Sequence, residues 1–187
     1  MLLQYETSRL ILKVLAPDAA ETVLDFYLQD KELFERYEAD RPAGFYTVSF
    51  QKNTLHAEYS LAMKLSAVRY YVFLKENSTA PIGTVCLYNI SNSFARCEIG
   101  YKFLSAYHHH GYAAEAIERC IDVAFSDLGI HRICAMVQPD NASSIHLLET
   151  LGFQKEGICR HYLCIKGRWV DHLQYSLLSP IPTFPRT

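Results

Sequence analysis

Between residues 95 and 137 the sequence passes from a strand pattern through a helix pattern to a second strand pattern. Residues 95–103 alternate apolar and polar side chains, as a strand with one buried face does. Residues 111–128 repeat apolar side chains at helical spacing, and Gly129 is placed to end that helix. Residues 130–137 are nearly all apolar, which predicts a strand buried on both faces. The unit predicts one strand–helix–strand crossover within a sheet.

Shorter patterns on both sides of this unit predict further strands and helices. Strands are predicted at residues 8–15, 70–74, 82–90, 153–163 and 169–178. Helices are predicted over residues 17–28, most of 31–66 and 139–152, with Asn141 as the N-cap of the last. The order predicts a single α+β domain over residues 1–178, with a mixed, mostly antiparallel sheet of about seven strands flanked by helices. Residues 179–187 are rich in proline and are predicted to form a C-terminal tail.

The composition favours one domain with a full core and no direct binding to nucleic acid. Half of the 187 residues are hydrophobic and 13% are aromatic, enough apolar surface to fold without a disulfide frame. The formal net charge is −2 and the sequence pI is about 6.4. A chain with this balance has no basic field to hold a phosphate backbone.

The sequence predicts a cytoplasmic protein with no membrane partner. Residues 1–6 lack the basic start and apolar stretch of a secretory signal. The longest uncharged run, residues 77–95, contains Pro81 and Gly83 and so predicts a turn and a strand rather than a membrane span. The six cysteines form no CxxC pair and four of them lie inside apolar segments, which favours buried reduced thiols over disulfides or a zinc site.

The segment that joins the alternating strand to the long helix, residues 104–116, is a candidate phosphate-binding turn. A loop that leads into a helix N-terminus presents unpaired main-chain N–H groups and the positive end of the helix dipole. Gly111 would let a ligand approach the backbone closely. The segment matches neither GxxxxGK[ST] nor GxGxxG, so alone it does not separate a phosphate site from an ordinary helix start.

Several motifs, in order along the chain, resemble the GCN5-related N-acetyltransferase (GNAT) family. The motifs are Cys97-Glu98-Ile99-Gly100-Tyr101, Tyr107-x-x-x-Gly111-Tyr112-Ala113-x-Glu115-Ala116, Val137-x-Pro139-Asp140-Asn141-x-x-Ser144 and Leu151-Gly152-Phe153-x-x-Glu156-Gly157. The chain looks most like the branch of ribosomal-protein alanine and serine acetyltransferases. Three further segments also resemble this branch. Thr7–Leu12 is similar to its opening strand, Arg41–Thr47 to its early substrate-side segment and Gly167–Tyr175 to its final strand. The resemblance implies a sheet whose splayed central strands form an acetyl-CoA cleft.

The resemblance also implies acetyl-CoA as cosubstrate and assigns residues to it. The pyrophosphate would lie on the loop formed by His108, His109, His110, Gly111, Tyr112 and Ala113. His108 replaces the usual Gln or Arg of the family, which we expect to weaken affinity for the cofactor rather than abolish it. The pantetheine arm would pair with the backbone of Phe103, Leu104 and Ser105, and Asn141 would contact it in addition to capping a helix.

The three consecutive histidines also raise the possibility of a metal site. Metal ligands in proteins are spaced along the chain or accompanied by carboxylates, and neither is present here. No metal is therefore expected.

Two residues are candidates for proton transfer. Several family members keep a glutamate at the position of Glu98, where it removes the proton of the amine, often through water; the alternative is an ordinary exposed strand carboxylate. Many members carry a tyrosine as acid where this chain has Leu148. Ser144 matches the serine of the N-terminal acetylating branch and would protonate the leaving thiolate, or it simply caps the helix.

The resemblance implies transfer of acetyl from acetyl-CoA to a primary amine by direct attack in a ternary complex. The branch points to a protein N-terminal amino group, as on a ribosomal protein. One alternative is a small amine, such as a polyamine, an amino sugar or an antibiotic. Another is a CoA-binding module without turnover. The chain would act as a monomer or a homodimer.

Overall fold

In the part of the chain that the structure describes, eight strands form one open sheet, one more than the seven expected. The computed structural model describes residues 1–181. The strands are β1 (Gln4–Glu6), β2 (Leu10–Lys13), β3 (Val68–Leu74), β4 (Gly83–Ser91), β5 (Arg96–Phe103), β6 (Arg132–Val137), β7 (Gln154–Ile165) and β8 (Arg168–Leu178). Their spatial order is β1-β2-β3-β4-β5-β6-β8-β7. The β5–β6 pair is parallel and the other neighbours are antiparallel, so the mostly antiparallel sheet is confirmed.

Among residues 1–181, five α-helices flank the sheet and complete the predicted single α+β domain. They are α1 (Ala20–Gln29), α2 (Lys31–Tyr37), α3 (Val48–Met63), α4 (Tyr112–Asp122) and α5 (Ala142–Thr150). The predicted crossover is present, because α4 joins β5 to the parallel strand β6. The helix pattern of residues 111–128 is only partly α-helical, since Val123–Asp127 form a π-helical turn.

The additional strand is β1, whose three residues are too few to show a pattern. It pairs with β2, with Tyr5 opposite Leu12. Tyr5 is buried and its ring packs edge-on against Tyr70, with 5.7 Å between the centroids. The first strand expected, residues 8–15, is correspondingly shorter, because Thr7 N–H bonds to the Leu10 carbonyl in a turn.

The two faces of the sheet are covered unequally, and this corrects the expectation for β6. One face, here the α4 face, packs on α4 and α5; the other, the α3 face, packs on α1, α2 and α3 through Tyr71 and Phe73 of β3. In β6 the side chains on the α4 face are buried, whereas those on the α3 face are only half-buried. Residues 130–137 are therefore not buried on both faces, because the helices of the α3 face pack three strands away.

The remaining general expectations concern membranes, metals, cysteines and the tail. Within residues 1–181 no helix combines the length and apolar character needed to cross a bilayer. In the same range no three His, Cys, Asp or Glu side chains converge as metal ligands. All six cysteines are free thiols, but only Cys86, Cys97 and Cys120 are buried, whereas the other three are half-buried. The predicted tail at 179–187 lies mostly outside the described residues, so its boundary after Leu178, where β8 ends, stays a prediction.

Candidate active site

Strands β5 and β6 separate part-way along their length and leave an opening in the middle of the sheet. They pair only from Arg96 opposite Arg132 to Glu98 opposite Cys134. Beyond that point β5 stays with β4 as far as Phe103, while β6 stays with β8 as far as Val137. The splayed central strands implied by the family resemblance are therefore present.

Main-chain groups of β5 point into this opening. Leu104 N–H donates to the Ile82 carbonyl, which makes the even-numbered residues of β5 the hydrogen-bonded partners of β4. The N–H and C=O groups of Ile99, Tyr101 and Phe103 therefore point away from β4, toward the side that β6 has left. A ligand in the opening can add to β5 as a strand would.

A cleft of about 590 Å³ passes through the opening and connects the two faces of the sheet. On the α4 face its walls come from the loop before α4, from the start of α4 and from α5 along its length. On the α3 face they come from α2, from β5 and from one residue of β8. The lining includes Leu33, Phe34, Tyr37, Glu38, Gly100, Tyr101, Lys102, Phe103, Tyr107, His108, His109, Gly111, Ala113, Met136, Gln138, Asn141, Ser143, Ser144, Leu147 and His172.

The loop before α4 has the backbone shape of an anion-binding turn. Gly111 is the N-cap of α4 with φ of +78°, and no side chain caps the helix. His109 also has a positive φ, +62°. The first N–H groups of α4 are therefore directed at the cleft, where the helix dipole favours negative charge. An added Cβ on Gly111 would meet Arg9 Nη2 at 3.4 Å, an ordinary contact, so glycine suits the turn through its left-handed conformation rather than through lack of space.

The loop residues expected to bind the pyrophosphate divide into two groups. His108, His109, Gly111 and Ala113 line the cleft. The ring of His108 turns back on the strand, with Nε2 3.0 Å from the Phe103 carbonyl oxygen. His110 and Tyr112 are not part of the lining, and their rings pack together with centroids 5.7 Å apart.

The three residues expected to pair with pantetheine also differ from one another. Phe103 points its main chain into the opening. Leu104 directs its N–H to Ile82, on the β4 side. Ser105 N–H donates to Asp30 at 2.5 Å, and Ser105 Oγ donates to the same carboxylate at 3.0 Å. Phe103 therefore lies at the cleft, whereas Ser105 is hydrogen-bonded to the junction of α1 and α2.

A network from the N-terminal segment holds the loop in place. Glu115, in the first turn of α4, accepts hydrogen bonds from Thr7 Oγ1, Ser8 Oγ, Arg9 N–H and Arg9 Nε. Partial burial raises the pKa of Glu115, but the hydrogen bonds from Thr7, Arg9 and Ser8 outweigh it and lower the pKa to about 2. The sequence indicated no such role for Arg9, because 106 residues separate it from Glu115.

Ser144 and Asn141 lie together at the start of α5, where Asn141 caps the helix and the Ser144 hydroxyl faces the cleft. Asn141 Oδ1 accepts the Ser144 N–H at 3.2 Å, so Asn141 caps the helix as predicted. The Ser144 hydroxyl instead lies 2.8 Å from the Tyr101 hydroxyl, within the cleft lining. Burial raises the pKa of Tyr101 to about 12, so this phenol stays protonated and can donate. Tyr101 is a site residue that the strand pattern showed only as a core position.

Glu98 lies on the α3 face, at the point where β5 and β6 separate. It is half-buried and accepts a hydrogen bond from Asn89 Nδ2 at 2.8 Å. Burial first, and then the carboxylate of Glu98, raise the pKa of the adjacent Tyr88. Ser144 contacts Tyr101, whose side chain is on the α4 face, so Glu98 and Ser144 lie on opposite faces of the sheet. Ser144 lines the cleft, whereas Glu98 lies next to it, at the last paired position of β5 and β6, and is not part of the lining.

Charged residues on the α3 face of the cleft form a charge-balanced group that the sequence did not indicate. Glu38, which follows α2, accepts from Lys102 Nζ at 2.5 Å and from Arg41 Nη2 at 2.6 Å. Burial raises the pKa of Glu38, but Lys102 and Arg41 outweigh it and hold the pKa below its usual value. The charged pair in the cleft lining, Glu38 and Lys102, therefore carries no surplus of negative charge.

The splayed sheet, the uncapped helix start and the through-going cleft together define the fold of an acyl-CoA-dependent N-acetyltransferase. The family model of the acetyltransferase (GNAT) domain matches residues 9–154, and the chain belongs to this family. Among its relatives, the uncharacterized N-acetyltransferase p20 of Bacillus licheniformis is 36% identical over 92% of this chain and 94% of its own length. The ribosomal protein uS5-alanine N-acetyltransferase of Escherichia coli is 28% identical over 93% of this chain and 90% of its own.

Solved structures share the fold as well. The crystal structure of the ribosomal-protein-S5-alanine acetyltransferase from Vibrio fischeri superposes with a TM-score of 0.88. It is 29% identical, and the match covers 95% of this chain and 97% of that one. The predicted fold family and the predicted class of enzyme are therefore confirmed.

Proposed function

We propose that the chain transfers acetyl from acetyl-CoA to the N-terminal amino group of a protein, with a ribosomal protein as the favoured candidate. The observation that carries the proposal is the cleft, which joins an anion-binding turn on one face of the sheet to an open acceptor side on the other. Two relatives that match this chain over at least 90% of their own length carry names of ribosomal-protein alanine acetyltransferases. The charge-balanced acceptor side gives no support to a polyamine, which would require acidic partners.

The residues present fit acetyl-CoA. The turn at Gly111 offers main-chain N–H groups to the diphosphate, and the acidic residue of that helix turn, Glu115, is neutralised by Arg9. The outward-facing main chain of Ile99 and Tyr101, together with the N–H of Phe103, suits the amides of the pantetheine arm, whereas the Phe103 carbonyl is already bonded to His108 Nε2. When bound, acetyl-CoA supplies the acetyl group as a thioester. Asn141 lies beside this path, as the family resemblance implies.

We assign the proton transfers to the two sides of the opening. Glu98, on the α3 face, takes the proton of the incoming ammonium directly or through water, since only the neutral amine is a nucleophile. Ser144, backed by the Tyr101 hydroxyl at 2.8 Å, donates a proton to the departing thiolate. The amine nitrogen forms its bond to the acetyl carbon while the carbon–sulfur bond breaks. The nitrogen then loses its second proton, which restores the one that Ser144 gives to the thiolate, so one proton is released overall.

The test is an acceptor panel assayed by thiol release and by mass spectrometry of the product. Peptides that begin with Ala or Ser should be acetylated at the N-terminus, whereas the same peptides with a blocked N-terminus and a free lysine should not. Acetylation of polyamines or amino sugars but not of peptides would select the small-amine alternative. Tight binding of acetyl-CoA with no product from any amine would select the non-catalytic module.

A further inference from the structure

Two buried nitrogen atoms at the acceptor side of the cleft have no hydrogen-bond partner among residues 1–181. They are Nδ1 of His172 and Nε2 of Gln138. His172 is 4% exposed, and both residues line the cleft. An enclosed polar group without a partner is costly to a folded protein, so such groups in a ligand cleft indicate a partner supplied by the ligand.

The two residues face each other across neighbouring strands. The ladder between β6 and β8 ends with Val137 opposite Leu173. Gln138 and His172 occupy the next position beyond that pair, where the ladder opens toward the cleft. Because Leu173 belongs to the core of the α4 face, the alternation of β8 places His172 on the α3 face, which is the acceptor side.

His172 is also near the candidate base. Its ring packs against Tyr162, with 4.9 Å between the centroids. Burial first, and then the charge of Glu98, raise the pKa of Tyr162, so Glu98 lies within electrostatic range of the phenol that His172 contacts. Burial lowers the pKa of His172, so its imidazole is neutral near neutral pH and has one nitrogen that can accept a hydrogen bond.

We propose that His172 and Gln138 form the subsite that recognises the acceptor, and that its ligand is an amine followed by a peptide carbonyl. This inference rests on the proposed acetyl transfer. Nδ1 of His172 accepts a hydrogen bond from the amine, and Nε2 of Gln138 donates one to the carbonyl of the first residue. A peptide N-terminus provides both groups. A protonated polyamine provides only donors and leaves the amide nitrogen of Gln138 without an acceptor.

The experiment compares two acceptors on the wild-type enzyme and on variants. One acceptor is a peptide that begins with Ala or Ser, and the other is the same peptide with its first carbonyl reduced to a methylene group. For the wild type we expect kcat/KM to fall about tenfold or more with the reduced peptide, because Gln138 is then left unpaired. Gln138→Leu should bring the two acceptors to within about twofold, by the logic of a double-mutant cycle.

Two further variants separate this subsite from general effects. His172→Leu should raise KM for both peptides and leave KM for acetyl-CoA unchanged, since both peptides keep the amine. His131→Leu is the matched control, because Nδ1 of His131 is also enclosed and without a partner in residues 1–181 but lies away from the cleft lining. It should leave both peptides unaffected.

The outcomes distinguish this inference from the function on which it rests. Equal use of the two peptides by the wild type, or full discrimination by Gln138→Leu, overturns the subsite while acetyl transfer stands. The comparison on the wild type holds even if a variant fails to fold. Absence of product from every amine overturns the proposed function and this subsite with it.

Discussion

Arg9 donates a hydrogen bond of 2.9 Å from Nη1 to the main-chain carbonyl of His110, so the residue before β2 holds the turn that begins α4. The same guanidinium pairs with Glu115 at 2.7 Å and lies over the Tyr112 ring, 4.6 Å from its centroid. One side chain thus contacts three parts of the loop and helix start. Arg9 is therefore a positioning residue for the candidate cofactor site.

Replacing Arg9 should weaken acetyl-CoA binding, although Arg9 does not contact the candidate catalytic residues. Arg9→Ala removes the contact to His110 and frees the loop, so we expect Kd for acetyl-CoA to rise about five- to tenfold, the effect of about one hydrogen bond. Calorimetric titration measures it. Arg160→Ala, which removes an exposed arginine on β7, is the control for lost charge. Equal affinities for wild type and Arg9→Ala would contradict the positioning role.

The turn at Gly111 predicts a sharper loss. Gly111→Glu places a side chain on a left-handed backbone, at a cost of about 1–2 kcal/mol, and brings a negative charge to the anion-binding turn. We expect no measurable binding of acetyl-CoA by calorimetry.

A matched variant separates charge at the turn from backbone strain. Gly167→Glu adds the same residue at φ of +72° in the β7–β8 turn, where an added Cβ meets nothing within 4 Å. This variant should bind acetyl-CoA normally. Normal binding by Gly111→Glu would remove the loop assignment, whereas loss of binding in both variants would indicate a general effect on folding.

The local parts of this site could be predicted from the sequence, and the long-range parts could not. The alternation of residues 95–103, the helical spacing after Gly111 and the cap at Asn141 all depend on neighbouring residues, so a single sequence shows them. Tyr101 and Arg9 take their roles from partners 43 and 101 residues away, Ser144 and His110. No short motif reports such a pair.

The unequal cover of the sheet explains the error over β6. Its side chains on both faces are apolar or long, so Cys134 and Met136 look like core residues in the sequence. They are half-buried because α1, α2 and α3 leave that part of the α3 face open. An apolar strand with one face open to a cleft has the same composition as a strand that is buried on both faces. Only the packing of the helices distinguishes the two.

The network around Glu115 predicts a stability that depends on pH. An ordinary glutamate titrates near 4.5, and the folded value here is about 2, so the carboxylate stabilises the fold above about pH 4.5 and loses this effect as the pH falls toward 2. Glu115→Gln should have a lower urea midpoint than wild type near neutral pH, and the difference should shrink between about pH 4.5 and 2. Glu118→Gln, on the exposed side of α4, should show neither effect. A constant difference across this range would contradict the linkage.

The position of Glu98 predicts an effect on turnover rather than on cofactor binding. Glu98→Gln keeps the shape of the side chain and its contact with Asn89 but cannot take a proton, so kcat should fall about 100-fold or more. Calorimetry should give an unchanged Kd for acetyl-CoA. The activity that remains should rise with pH as more of the free amine is neutral. Unchanged kcat for Glu98→Gln would leave the residue as an ordinary strand carboxylate.

Substitutions at Ser144 and Tyr101 can test proton donation separately from helix capping. Ser144→Ala keeps the main-chain N–H that Asn141 accepts, so the cap and the thermal midpoint should be unchanged. It removes the hydroxyl 2.8 Å from Tyr101, and kcat should fall about tenfold, because the Tyr101 hydroxyl stays near enough to donate in its place. Tyr101→Phe alone should cost less, and the double variant should lose more than the two single losses combined, since each hydroxyl substitutes for the other. Losses that simply multiply, measured by thiol release with saturating substrates, would show that the two hydroxyls act independently.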